Sequence, residues 1–311
     1  MPATPARFLG CEPEESFTPD FRKLVTLQSQ LQGAMEKSTN TLAVAIDLKH
    51  SEIAVRDLTT LVQLSSLVTK DSLTKNLKKF VKNASTTGRN LQKFAGHVGS
   101  TVDQTIAMNE YMIEMLESMA EDEKTPPLTL RSLRAPAFRN SDIKSAWFEA
   151  TEQMKSTVQK LIDEAMANEQ ALNNLDSELT VIHQIVARAD NKITMDRAET
   201  LGSLWTTLGG NKGELAVFDS HTQLLKGVTD YRKMAVDHVH DALFQLRRID
   251  LDLNELNEQV TAPLLAKAIG LPLDMHIGIL QKGTTRLVEG RAREREREAQ
   301  YTRGRLRSTR S

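Results

Sequence analysis

Proline placement leaves this chain few options. Pro2, Pro5, Pro13 and Pro19 stand in the first twenty residues, and none follows until Pro126 and Pro127. After Pro136 there is none until Pro263, and the last is Pro272. Two proline-free blocks of more than one hundred residues each are what long helices require. A proline inside a helix removes a backbone bond and clashes with the preceding turn, at a cost of about 3 kcal/mol. Composition points the same way: aromatic residues are 5% of the chain, and Ala, Leu, Glu, Lys, Gln and Arg are plentiful. So few aromatics also argue against a base- or sugar-stacking surface.

The apolar pattern fills both blocks. Thr18-Pro19-Asp20 reads as a helix start, with Thr as cap, Pro at the first helical position and Asp at the positive end of the dipole. It predicts a first helix to about residue 49 and a second over about 51–68. A third, capped by Asp71-Ser72, runs over about 72–120 and carries a seven-residue repeat. One line of that repeat holds Leu77, Ala84, Leu91, Val98, Thr105 and Met112; the other holds Leu73, Phe80, Thr87, Phe94, Thr101, Met108 and Met115. Gly96 and Gly99 interrupt it and would let another helix approach closely.

Residues 121–141 read as a linker with Pro126, Pro127, Pro136 and three arginines. Ser141-Asp142 then opens a helix whose seam is Trp147, Met154, Leu161, Asn168, Leu175 and Ile182, alternating with Val158, Ala165, Leu172, Leu179 and Val186. Asn168 is either a register-fixing break in the seam or a residue at its rim. A shorter helix follows over about 195–208, with Leu201, Leu204 and Trp205, stopped by Gly209-Gly210-Asn211. The next, about 214–260, repeats Leu225, Val239, Leu246, Leu253 and Val260 against Val228, Ala235, Ala242, Ile249 and Leu256. Leu224, Tyr231, Val236 and Leu243 widen its stripe beyond a two-helix seam, so at least three helices pack together. Pro263 ends it and Pro272 opens the last helix, with Met275, Ile277, Ile279, Leu280, Leu287 and Val288 as apolar positions.

Net charge is −1, but residues 290–311 hold eight Arg and three Glu, a balance of +5 that leaves −6 for the rest. An acidic body with a basic tail suggests an acidic partner for the tail. Cys11 is the single cysteine, so no disulfide can form within the chain. Residues 1–11 lack a signal-peptide core, and no window of 18 apolar residues occurs. The expectation is an intracellular, cytoplasmic protein.

No catalytic or metal-binding constellation stands out. Residues 208–213, LGGNKG, superficially resemble a phosphate loop but lack the preceding strand and the Lys-Ser or Lys-Thr ending. Asp237, His238, His240 and Asp241 form the only His–carboxylate cluster; the two histidines are two residues apart and diverge on a helix. His97, His183, His221 and His276 stand apart from it, and Cys11 has no neighbouring base. Glu121-Asp122-Glu123 reads as a solvated helix end, and Met108, Met112, Met115 and Met119 as core at helical spacing. Alternating Arg and Glu in residues 291–297 read as exposed helix pairs. Arg303, Arg305, Arg307 and Arg310 have no acidic neighbours and are the candidates for contact with an anionic surface.

One set of residues resembles a known group. Leu204-Trp205, Leu208-Gly209-Gly210-Asn211, Phe218, His221, Leu224-Leu225, Tyr231-Arg232 and His238-Val239 resemble uncharacterised, all-helical, coiled-coil-like fungal proteins. The likeness continues through Ala262-Pro263, His276-Ile277 and Arg286-Leu287 to an Arg-rich end, and takes in the stretch from Leu91-Gln92-Lys93-Phe94 to Val98-Gly99. It covers about residues 20–295 and implies a helical fold without a known activity. Some members carry hydrophobic segments that this chain lacks.

The sequence therefore predicts an all-α, elongated antiparallel bundle with coiled-coil-like packing. Its parts are an arm over 1–18, helical blocks over 19–120 and 142–289, the linker between them, and a basic tail over 290–311 that extends the last helix into solvent and frays into disorder. The expected function is a scaffold acting through long helix faces, with no catalysis, cofactor or small-molecule substrate. Its partners would be proteins or further copies of itself rather than nucleic acid. The alternatives are a peripheral membrane binder using the Arg-rich tail and an α-helical pore former.

Overall fold

The computed structural model describes residues 19–123, 140–189, 199–209, 215–261 and 272–308. All the secondary structure in them is helical: α1 (Phe21–Leu64), α2 (Lys70–Glu123), α3 (Asn140–Ala189), α4 (Thr200–Thr207), α5 (Leu215–Thr261) and α6 (Leu273–Ser308). The arm over 1–18, the proline-rich part of the linker and Arg310 lie outside the described residues.

Four long helices form a ring around one core. α1 packs against α2 and α5, and α3 packs against the same two. Each is antiparallel to its neighbours. Gln28 meets Asn109 while Lys49 meets Ser85, and Lys23 meets Glu255 while Asp57 meets His221. Likewise, His97 meets Glu164 while Asn83 meets Glu178, and Glu152 meets Asn257 while Asp176 meets Arg232. The two proline-free blocks thus make a single elongated bundle; α2, with 54 residues, is about 80 Å long at 1.5 Å per residue. At one end Phe21 reaches across to Trp147, ring centroids 5.1 Å apart and edge-on. At the other, α4 packs on α1, α3 and α5.

The expected seams are the core. The apolar positions named on α2, α3 and α5 are buried or half-buried wherever their side chains are described, so each large one contributes about 1.5–3 kcal/mol by leaving water. Asn168 is buried too, in the seam rather than at its rim. Gly209 ends α4 with a φ of 82°, a left-handed conformation that glycine adopts without a Cβ clash. A helix precedes it, not the strand a phosphate loop needs.

Several expectations are corrected. The two helices expected over 19–68 are one. Ser51, where the second was expected to begin, is buried inside α1, and its hydroxyl donates to the Asp47 carbonyl at 2.9 Å. Asp20 caps α1, accepting the Lys23 N–H at 3.0 Å, and Thr18, the expected cap, lies outside the described residues. On α6, Met275 and Val288 are exposed.

The largest difference is the tail. α6 runs through Gly290 without a break to Ser308, packed in the outer groove between α1 and α2. It belongs spatially with the first helical block rather than with the second. Its inner line is Leu280, Leu287, Glu294 and Tyr301, seven residues apart. Polar contacts take over where the apolar residues stop: Tyr301 donates to Asp47 Oδ2 at 2.7 Å, and buried Glu294 pairs with Arg297 at 2.8 Å. Gly283 lies against Val25 and Gly290 against Gln32, so α6 runs parallel to α1 at close range.

Candidate functional site

The structure divides the Arg-rich tail in two. Arg291 and Arg295 both reach across to Asp103 on α2, at 3.1 and 2.9 Å. Arg293 and Arg297 pair along α6 with Glu289 and Glu294. The pairing read as exposed and local therefore holds for Arg293, whereas Arg291 joins two helices with its side chain only 15% exposed. Of the four candidates, Arg303 is exposed. Arg305 and Arg307 sit in the last turns of α6 with side chains outside the described residues.

The face of α2 beside α6 holds a pattern the sequence reading missed. Between residues 70 and 99, α2 has Lys70, Lys75, Lys78, Lys79, Lys82, Arg89 and Lys93 against the single Asp71. From 100 to 123 it has seven carboxylates and no Lys or Arg. Net charge per segment hides this, because the halves of one helix cancel. Dividing the helix at its midpoint would have found it.

The other candidates resolve into packing contacts. The Asp237–Asp241 cluster splits between neighbours: Asp241 pairs with Lys37 of α1 at 2.9 Å, and His240 faces Glu169 of α3 at 3.5 Å. Burial, then the charge of Lys37, holds the His238 imidazole below its ordinary value, while Asp241 and Asp237 oppose the shift. His221 stacks on Trp205 and bonds Asp57 at 2.9 Å, tying α4, α5 and α1 together. His97 bonds Glu164, His183 bonds Thr200, and His276 lies against Phe21. Among the described residues no group of three His, Cys, Asp or Glu side chains is placed to hold a metal ion.

Met112 and Met115 are buried, and Met108 and Met119 half-buried. Met108 and Met112 line a cavity of about 30 Å³ beside the buried Gln28–Asn109 pair, whose amides bond each other at 2.7 and 2.8 Å. That volume suits water rather than an organic substrate. No family model and no curated protein sequence matches the chain.

Proposed function

We propose that the chain is a non-catalytic scaffold that binds proteins, including further copies of itself, through the outer faces of its long helices. The observation that carries this reading is on α5. Phe244 and Leu251 are 62% and 68% exposed and one heptad apart, while Leu246, Ile249 and Leu253 of the same helix are fully buried. The bundle completes its core without these two side chains, which leaves them available to a partner's apolar positions. Dispersal of Asp241, His240, His97 and His221 into separate helix–helix contacts supports a role without catalysis. The residues matched above support kinship with the all-helical fungal group, and the single cysteine supports an intracellular, cytoplasmic setting.

A photo-crosslinking side chain placed at 244 or 251 tests the reading in the source cells. Protein adducts are expected at both positions and not at Lys160, on the exposed side of α3. Absence of protein adducts at 244 and 251 would overturn it.

A second reading, peripheral attachment to an anionic membrane, is favoured by exposed Arg303 at the end of a +5 segment. No helix among the described residues is long and apolar enough to cross a membrane. Replacing Arg303, Arg305, Arg307 and Arg310 by Gln should abolish salt-sensitive cosedimentation with anionic vesicles. Unchanged cosedimentation would reject the tail as the contact.

A further inference from the structure

The outer stripe of α2 is built from two alternating heptad positions. Its first half carries Lys75, Lys79, Lys82, Arg89 and Lys93; its second carries Asp103, Glu110, Glu114, Glu117 and Glu121. All are exposed except half-buried Asp103. Some are engaged within the chain: Lys79 with Glu178, Asp103 with Arg291 and Arg295, and Glu117 with Gln281. Among the described residues, Lys75, Lys82, Arg89, Lys93, Glu110 and Glu114 make no ion pair. One face of one helix is therefore cationic along half its length and anionic along the other half.

A flat anionic surface laid along this stripe would attract one half and repel the other. A second stripe laid on it in the same direction would oppose like charges throughout. An antiparallel copy does neither. With the twofold axis at the level of Val98, Lys75 faces Glu121 of the second copy, Lys79 faces Glu117, Lys82 faces Glu114 and Lys93 faces Asp103, with each pair repeated by symmetry. No two like charges of the stripe oppose one another. The residues that meet across the axis are Gly96 and Ser100, both small and exposed. Gly96 has no reason within its own chain to be glycine: its φ is not positive, and a Cβ added there would meet nothing within 4 Å.

We propose that two copies of this chain associate through the outer face of α2, antiparallel, with the basic half of each stripe on the acidic half of the other. The proposal rests on the scaffold reading and names a second copy as one partner. The interface is electrostatic and isologous, so it is reversible and weakened by salt.

Sedimentation of the full chain tests it. Wild type is expected to be a dimer at low ionic strength and to dissociate as salt is raised. Lys82→Glu and Glu114→Lys each put like charges face to face twice per dimer and should weaken association at least ten-fold. The double variant restores opposite charges and should recover the dimer. An equimolar mixture of the two single variants should form a heterodimer, because one supplies carboxylates at both positions and the other supplies ammonium groups. Both sites are exposed, so helix content by circular dichroism should not change. A wild type that stays monomeric at low salt, or a double variant no better than the singles, overturns the proposal. So does a monomer that binds anionic vesicles in a Lys82-dependent way, which would give the stripe a lipid partner. None of these variants touches Phe244 or Leu251, so the crosslinking result on α5 reports on the scaffold reading separately.

Discussion

The guanidinium of Arg291 lies directly over Gly99, so close that a Cβ on that residue would come within 2.6 Å of it. The missing side chain is what lets Arg291 cross from α6 to Asp103, one turn further along α2. Gly99→Ala meets only the far end of a flexible side chain, and alanine favours the helix by about 1 kcal/mol. Global stability should therefore change by less than about 1 kcal/mol while Arg291 is displaced. Asp103→Asn should release Arg291 and Arg295 from the other side. Both variants are expected to raise amide hydrogen exchange in residues 291–301 and to leave α3 and α5 unchanged. Unaltered exchange there would mean that the pair does not hold the helix down.

Asn168 occupies a core position of α3, and its Oδ1 has no hydrogen-bond partner. A buried amide oxygen without a donor costs about 1–3 kcal/mol. Asn168→Leu should therefore raise the unfolding midpoint by an amount corresponding to about 1–2 kcal/mol, and Asn168→Asp should lower it. A leucine variant less stable than wild type in urea titration would show that the amide fixes register at that layer.

Leu246 and Asp252 lie on the same helix in different surroundings. Leu246 is fully buried, so Leu246→Asp places an unpaired carboxylate in the core and should cost several kcal/mol. Asp252 is half-buried and accepts a hydrogen bond from Gln30 Nε2 at 3.1 Å. Its replacement by Ala should cost about 0.5–1.5 kcal/mol, the net worth of one such bond. Equal midpoints for the two variants would put the wrong face of α5 in the core.

What the sequence made legible follows from what its heptads encode. Seams that run on apolar residues, such as Leu77 to Met112 or Trp147 to Ile182, announce both the helix and its buried face. The sequence reads α1 as two helices meeting near residue 50, and only burial shows Ser51 inside one continuous helix with its hydroxyl turned back on Asp47. The end of α6 reads in sequence as fraying because its inner positions are Glu294 and Tyr301; Glu294 pairs along α6 with Arg297, while Tyr301 meets its partner Asp47 only once the helices are docked. Tertiary pairing of polar groups leaves no periodic signal in hydropathy. The bipolar stripe of α2 was hidden for a related reason, since its charges cancel in any sum over the helix.

Two groups give the fold an acid sensitivity in separate pH windows. Burial by itself pushes the Glu52 carboxyl up; hydrogen bonds from Lys49 and Ser85, with the charges of Lys49 and Arg56, outweigh it and hold Glu52 below its ordinary value. The folded state thus binds this proton less readily than the unfolded chain. The stabilisation is fully present above the ordinary carboxylate value and is lost as pH falls through the lower folded one. His238 is also depressed, by burial first and by Lys37 next. Its contribution is complete above the ordinary imidazole value of about 6.5 and declines as pH falls below it towards the folded value. Both groups therefore make stability rise with pH, one in the carboxylate range and the other in the weakly acidic range. Urea midpoints measured across pH should show His238→Gln flattening the curve only between about pH 7 and 5, and Glu52→Gln flattening it only below about pH 4.5. A His238→Gln variant with the wild-type slope in the upper window would remove that imidazole from the account and leave the lower window to Glu52.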